Sequence, residues 1–300
     1  MSEPLVSVVI PTFNRAHTIR RSVDSVIGQT WKRWELIVVD DGSTDDTAVT
    51  LKSYGAQVRY VTQANAGPGA ARNKGIELAS GEFVAFLDSD DTWHASKLQK
   101  QMDLLRRCPA SVACCLCNIS LTAERGQART SFGLADVHPR QAEALWRNVT
   151  EVFLTRFVLF NQAAVVRTSA LRKAGLFDTS LRLLEDYDQA LRLSLCGDWA
   201  IIDEPLVTWN PDDASSLTRN ADELQVAQLA RDIVKRFGAT HELSPSLQAL
   251  TRRRVDALER RIRIIETVRG IENKHPRAGK VLQAVTGALD RLERRVRGVP

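Results

Sequence analysis

The sequence predicts an α/β protein: a layered sheet with helices on both faces, followed by a helical C-terminal extension. Three observations predict it. Short apolar runs alternate with amphipathic stretches over the first hundred residues, the pattern of parallel strands joined by crossover helices. The run Phe83-Val84-Ala85-Phe86-Leu87 is apolar throughout, as a strand buried on both faces must be. From about Asp222 the chain turns Arg-rich and helical in pattern.

The elements follow in order. Residues 6–10 read as a strand closed by Pro11, and 16–27 as an amphipathic helix. Residues 35–39 form a second strand ending at Asp40-Asp41-Gly42-Ser43, 47–54 a second helix, and 58–61 a third strand. Residues 69–79 give a third helix, which leads into the apolar run at 83–87. Residues 112–117 look like a strand, 139–158 like helix and loop, and 161–167 like another strand. Residues 184–196 read as a helix capped by Gly197, and 200–202 as the last strand of the sheet. In the tail, Val255, Leu258, Ile262 and Ile265 make one apolar stripe. Val281, Val285, Ala288, Leu292 and Val296 make a second. The expected division is a domain over 1–220 and a basic helical extension over 221–300.

Composition sets bounds. Of 300 residues, 44% are hydrophobic and 26% charged, with a formal net charge of +5, ordinary values for a globular protein. The charge is uneven: residues 251–300 carry +8, leaving −3 for the residues before them. A basic tail contacts anionic partners or water, but this one lacks the interleaved aromatics of a nucleic-acid binder. Three of the five cysteines, Cys114, Cys115 and Cys117, lie on one apolar strand whose neighbours point to opposite faces. They read as reduced, buried thiols, which suits a cytoplasmic protein. No signal sequence and no membrane-spanning stretch is expected.

Chemistry concentrates at four places. Asp88-Ser89-Asp90-Asp91 ends the apolar strand at 83–87. Clustered carboxylates repel and resist desolvation, and a divalent cation with oxygen ligands compensates them. Strand C-termini are also where open α/β sheets bind ligands. Asp40 to Asp45 ends the second strand, with a carboxylate able to accept from a base N–H and Gly42 permitting close backbone approach. Asn65-Ala66-Gly67-Pro68-Gly69 opens a helix, with Arg72 and Lys74 adding positive charge. Glu185-Asp186 begins the helix at 184–196, where carboxylates suit the dipole and one could serve as a general base.

Together these segments resemble the family 2 glycosyltransferases of the GT-A fold over roughly residues 5–215. The matching text is Val6 to Arg15, Val39 to Asp45, the turn from Asn65 to Gly75, Gly81 to Trp93 with Lys97-Leu98, and Glu185-Asp186. The resemblance implies a GT-A catalytic domain that moves a sugar, with inversion, from a nucleoside-diphosphate donor to a hydroxyl. A UDP-sugar is favoured as donor, and a glycan or lipid-linked glycan of envelope or exopolysaccharide synthesis as acceptor. Asp41 would pair with the base, and Pro11, Thr12 and Asn14 would line the nucleotide pocket. Asn65 and Arg72 would support the nucleotide or diphosphate, with Ser89 and Asp88 beside it. Asp88 and Asp90 would hold Mn²⁺ or Mg²⁺. Asp186 would be the base and Glu185 its neighbour.

One departure matters. The family often carries a histidine shortly after its last core strand, whereas Val207 to Ser216 has none; either Asp212 or Asp213 substitutes as a metal- or phosphate-side group, or that contact is missing. The extension is expected to pack, to form a dimer, or to touch the inner face of the cell membrane. Two other readings remain open: a nucleotidyltransferase, which would normally show a basic Gly-rich loop after the first strand, and a nucleotide-sugar-binding protein without turnover.

Overall fold

The computed structural model describes residues 3–124, 127–156, 158, 160–210 and 221–274. They fall in two compact units divided at Arg219.

The first unit is built on one mixed sheet. Its elements are β1 (Val6–Thr12), α1 (Ile19–Ile27), β2 (Trp34–Asp40), α2 (Thr47–Lys52), β3 (Arg59–Thr62), α3 (Pro68–Leu78) and β4 (Phe83–Phe86). There follow β5 (Thr92–Trp93), α4 (Lys97–Arg107), β6 (Val112–Glu124), β7 (Gln127–Thr130), α5 (Ser131–Leu134), β8 (Glu143–Trp146) and α6 (Val149–Thr155). The unit closes with β9 (Ala164–Arg167), α7 (Thr168–Ala174), α8 (Glu185–Ser194) and β10 (Asp198–Thr208). The strand order is β3-β2-β1-β4-β9-β6-β10-β5, with β7 beside β6 and β8 beside β10.

Hydrophobicity explains the centre. Val6, Val8, Val9 and Ile10 of β1, Ile37 to Val39 of β2, and Val84 to Phe86 of β4 are all fully buried. Strands covered on both faces carry no alternation. Their pairing is parallel, with Val9 opposite Ile37 on one side and Phe86 on the other. Crossover helices bring each chain back to the same sheet edge.

Parallel pairing does not extend across the whole sheet. β9 runs antiparallel to both β4 and β6. The chain reaches it after a long excursion from β6 and enters from the ligand end, through the 3₁₀ turn Asn161–Ala163. That turn takes the first three residues of the strand expected at 161–167. β10 spans eleven residues instead of the three expected, because it pairs with β6, β8 and β5 in turn. The first helix starts at Ile19, three residues late, after a turn in which the Thr18 N–H donates to the Arg15 carbonyl.

The cysteine strand buries Cys114, Cys115 and Cys117 completely, and all five thiols are free. Burial pushes these three thiols up. Beside them the wholly buried Lys97 lies over the Trp93 ring at 4.0 Å and donates to Gln101 at 2.8 Å. Desolvation lowers its ammonium to about 8.

α3 lies so close to β1 that a side chain at Gly75 would meet Val9 Cγ1 at 2.2 Å. Gly75→Ala is therefore expected to overpack this contact and cost about 1–3 kcal/mol. A lowered denaturation midpoint with unchanged slope checks it.

The second unit is a helical pair, α9 (Glu223–Thr240) and α10 (Pro245–Lys274). Ala227, Ala230, Ile233, Val234 and Phe237 of α9 are buried, as are Leu258, Ile262 and Val268 of α10. The first predicted stripe thus faces packing for Leu258 and Ile262. Exposed pairs such as Lys235–Glu259 and Arg261–Glu223 add little. The second stripe, Val281 to Val296, lies outside the described residues. No helix among the described residues is long and apolar enough to cross a membrane.

Candidate active site

The predicted site residues that are described lie on β1, on the turns after β1, β2, β3 and β4, and on α3 and α8. At β1, pairing with β4 stops at Val9, and Pro11 has no N–H with which to extend it. Thr12 closes the strand. Its carbonyl accepts from the Asp41 N–H, while its hydroxyl is buried without a hydrogen-bond partner among the described residues. Asn14 follows in the left-handed region at φ 53°. Its side-chain oxygen accepts from the Thr44 N–H, and its own N–H donates to the Ser43 hydroxyl. Asn14 therefore ties the end of β1 to the turn after β2.

Asp40 and Asp41 divide their work. Asp40 accepts from the Ser43 N–H and from the Tyr60 hydroxyl, each at 2.8 Å. Asp41 is buried and accepts three bonds: from Gln63 Nε2, the Ala66 N–H and the Gly67 N–H, at 2.8, 2.8 and 2.7 Å. A carboxylate offers about four lone-pair sites, so one acceptor position is left. Asp41 thus anchors the glycine loop. Asn65 is exposed, with its backbone against Gly42, whose φ of +84° keeps that approach open.

The acidic turn follows β4. Asp88 is partly exposed, Ser89 and Asp91 are buried, and the Asp90 carbonyl accepts from Arg21 at 2.7 Å. Asp91 Oδ1 accepts from the Asn210 N–H at 2.9 Å, which latches the turn to the chain leaving β10. Asp91 is buried, with the Gln162 side chain beside its carboxyl. Burial, together with the Asp88 and Asp90 charges, raises the Asp91 carboxyl well above its ordinary range.

Arg72 on α3 joins the acidic turn to the acid pair. One guanidinium nitrogen meets Glu185 Oε1 at 2.6 Å and another meets Asp88 Oδ1 at 2.8 Å. The Phe177 ring lies 5.6 Å away. Arg72 and Glu185 are only 4% and 7% exposed. Arg72 is expected to support the nucleotide or diphosphate; in this structure its two terminal nitrogens meet carboxylates 97 positions apart in the chain. α8 begins after Leu184, itself left-handed at φ 61°. Asp186 is partly covered, and burial together with the Glu185 charge raises its carboxyl to about 7, with Arg72 opposing.

No three His, Cys, Asp or Glu side chains form a preformed metal cage among the described residues. The donor set is carboxylate only, with Asp88 and Asp90 beside the buried Asp91. That suits a hard cation which takes one or two carboxylates and completes its shell with substrate phosphates. Asp212 and Asp213 lie outside the described residues. Nothing in the local sequence marks Gln63, Arg21 or Asn210, since their parts here are set by chain crossings 22 to 120 residues long.

The family model for glycosyl transferase family 2 matches residues 7–177. The chain belongs to that family. An uncharacterized glycosyltransferase of Rickettsia typhi is 34% identical over 186 residues, 62% of this chain and 57% of that protein. The match thus spans little more than half of that relative's length. The putative teichuronic acid biosynthesis glycosyltransferase TuaG of Bacillus subtilis is 35% identical over 65% of this chain and 77% of its own. WfgD of Escherichia coli, a UDP-Glc:α-D-GlcNAc-diphosphoundecaprenol β-1,3-glucosyltransferase, is 42% identical over 35% of this chain and 42% of its own. Among solved structures, S. aureus TarS 1–349 in complex with UDP-GlcNAc superposes with TM-score 0.67 at 20% identity, covering 85% of this chain and 71% of that one. The mannosyltransferase PcManGT of Pyrobaculum calidifontis, with GDP-Man and Mn²⁺, gives 0.61 at 17% identity over 96% and 81%. These likenesses show the GT-A fold of the family.

Proposed function

We propose that this chain is a metal-dependent, inverting glycosyltransferase that moves a sugar from a nucleoside-diphosphate donor to a hydroxyl of a glycan or lipid-linked glycan acceptor. A UDP-sugar is the favoured donor and envelope polysaccharide the favoured product. The observation that supports the reading is the Asp88–Arg72–Glu185 bridge, which ties the helix start that carries Asp186 to the acidic turn after β4. WfgD and TuaG support the envelope setting by name, and TarS with UDP-GlcNAc supports the donor class.

Each residue has a task. The base of the nucleotide takes the remaining acceptor site of Asp41, with Pro11, Thr12, Asn14 and Asn65 as pocket walls and Ser89 beside the acidic turn. Asp88 and Asp90 would hold Mn²⁺ or Mg²⁺, which would supply Lewis-acid stabilisation of the leaving diphosphate. Asp186 accepts the proton of the acceptor hydroxyl while its oxygen forms a bond to the anomeric carbon and the bond to the diphosphate breaks. A carboxyl near 7 is matched to that exchange at neutral pH. Arg72 holds Glu185 and Asp88 in place. The domain over 1–220 does this chemistry. The helical extension serves for packing or self-association, with contact at the inner, cytoplasmic face of the membrane as the second reading.

Calorimetry with UDP, GDP and dTDP, with and without Mn²⁺, tests the reading on wild type and Asp90→Ala. Metal-dependent binding of one nucleotide, weakened at least tenfold in the variant, is the expected result. No binding of any nucleotide by the wild type would overturn it.

A further inference from the structure

Arg182 sits in the loop before the acid pair and lies against Gly67, at the start of α3. A Cβ on Gly67 would meet Arg182 Nη1 at 2.7 Å and its Cδ and Cζ at 3.4 Å. Gly67 stands at φ +94°, a conformation that suits glycine, and the Arg182 guanidinium lies on it. Next along, a Cβ on Gly69 would meet Glu185 Cγ and the Asp178 carbonyl at 3.7 Å. The segment from Phe177 to Glu185 therefore packs against the loop at Gly67 and Gly69.

The charge balance here is unusual. Arg72 is held by Glu185 and Asp88, Lys74 pairs with Glu77, and Arg21 donates to the Asp90 carbonyl. Arg182 is exposed, and its guanidinium has no hydrogen bond or ion pair with any of the described residues. The α3 start beneath it has no acidic residue in its first turn; its Gly67 N–H donates to Asp41, and the Gly69 and Ala70 N–H groups of the first turn lie beyond that bond. The loop that Arg182 covers is the one anchored by Asp41, on the nucleotide side of the acidic turn.

We propose that Arg182 contacts the phosphates of the nucleotide donor, the part that the family resemblance gives to Arg72. The inference rests on the glycosyltransferase reading above. A guanidinium meets phosphate oxygens through paired N–H groups in a geometry that lysine cannot copy. Arg182 would neutralise charge on the diphosphate as the sugar departs, while Arg72 keeps the acids in place.

Calorimetry on the full chain tests this with Arg182→Ala and Arg182→Lys. The probes are the diphosphate that the wild type binds, chosen from UDP, GDP and dTDP, and the matching nucleoside. Arg182→Ala is expected to weaken the diphosphate about tenfold or more, the scale of one lost charge-assisted bond, and to leave the nucleoside unchanged. Arg182→Lys recovers part of the loss. The salt dependence of diphosphate binding falls in Arg182→Ala and is kept in Arg182→Lys, which retains the charge. A purely structural role would weaken nucleoside and diphosphate alike, and that result overturns the proposal. Equal diphosphate binding by wild type and Arg182→Ala also overturns it while leaving the glycosyltransferase reading intact. A wild type that binds no diphosphate overturns both.

Discussion

Asp186→Asn is expected to lower kcat by about 10²- to 10⁴-fold, the scale of a lost general base, while donor binding persists. It is also expected to make the protein more stable at pH 8. The sign follows from the carboxyl near 7, raised by burial and by Glu185. An unfolded aspartate titrates near 3.9. Below that value both states are protonated and the site costs nothing. Between about 4 and 7 the unfolded chain ionises while the folded one resists, so stability falls as pH rises, and above 7 the whole penalty is present. Asparagine removes the charge and with it the penalty. The gain at pH 8 is on the order of 1–2 kcal/mol once partial solvent screening is allowed for. Thermal melts at pH 5 and pH 8 check it: the variant's advantage grows with pH. In the wild type, kcat/KM rises with pH through the same region, because the working form is the carboxylate. A flat stability difference would show that Asp186 is not the strained acid, and unimpaired turnover that it is not the base.

Arg72→Met is expected to cost about 3 kcal/mol, or roughly 6–12 °C in Tm. Removing the guanidinium leaves Glu185 as a buried, uncompensated charge. Asp88 contributes less because its side chain is 30% exposed. Arg72→Lys restores little, since one ammonium cannot span two carboxylates on different elements as a planar fork does. Turnover falls together with Tm, because the acid pair and the acidic turn lose their shared tie. Differential scanning fluorimetry with donor-binding isotherms separates the alternatives. Lost donor binding at unchanged Tm would return Arg72 to the direct diphosphate role that the family resemblance gave it.

These two variants mark where sequence reading stops. The alternation of strand and helix up to Asp91 was legible because a strand buried on both faces admits only apolar residues, and Val6 to Ile10 and Phe83 to Leu87 meet that demand locally. The acid clusters were legible as well, because carboxylates gathered at a strand end repel one another until a cation offsets them. The direction of β9 was not, since the short run at 164–167 reads alike in either direction and its partners lie about 80 and 50 residues away. Nor was the employment of Arg72. Its local setting, a basic residue on a glycine-led helix, fits a phosphate ligand and a structural bridge equally well. Only the folding of α8 against α3 brings Glu185 within 2.6 Å of it and lays Arg182 over Gly67. Residue order alone was enough for the central parallel strands and the family. Which cation faces which anion was settled in three dimensions, because Coulomb energy depends on distances that chain order does not contain.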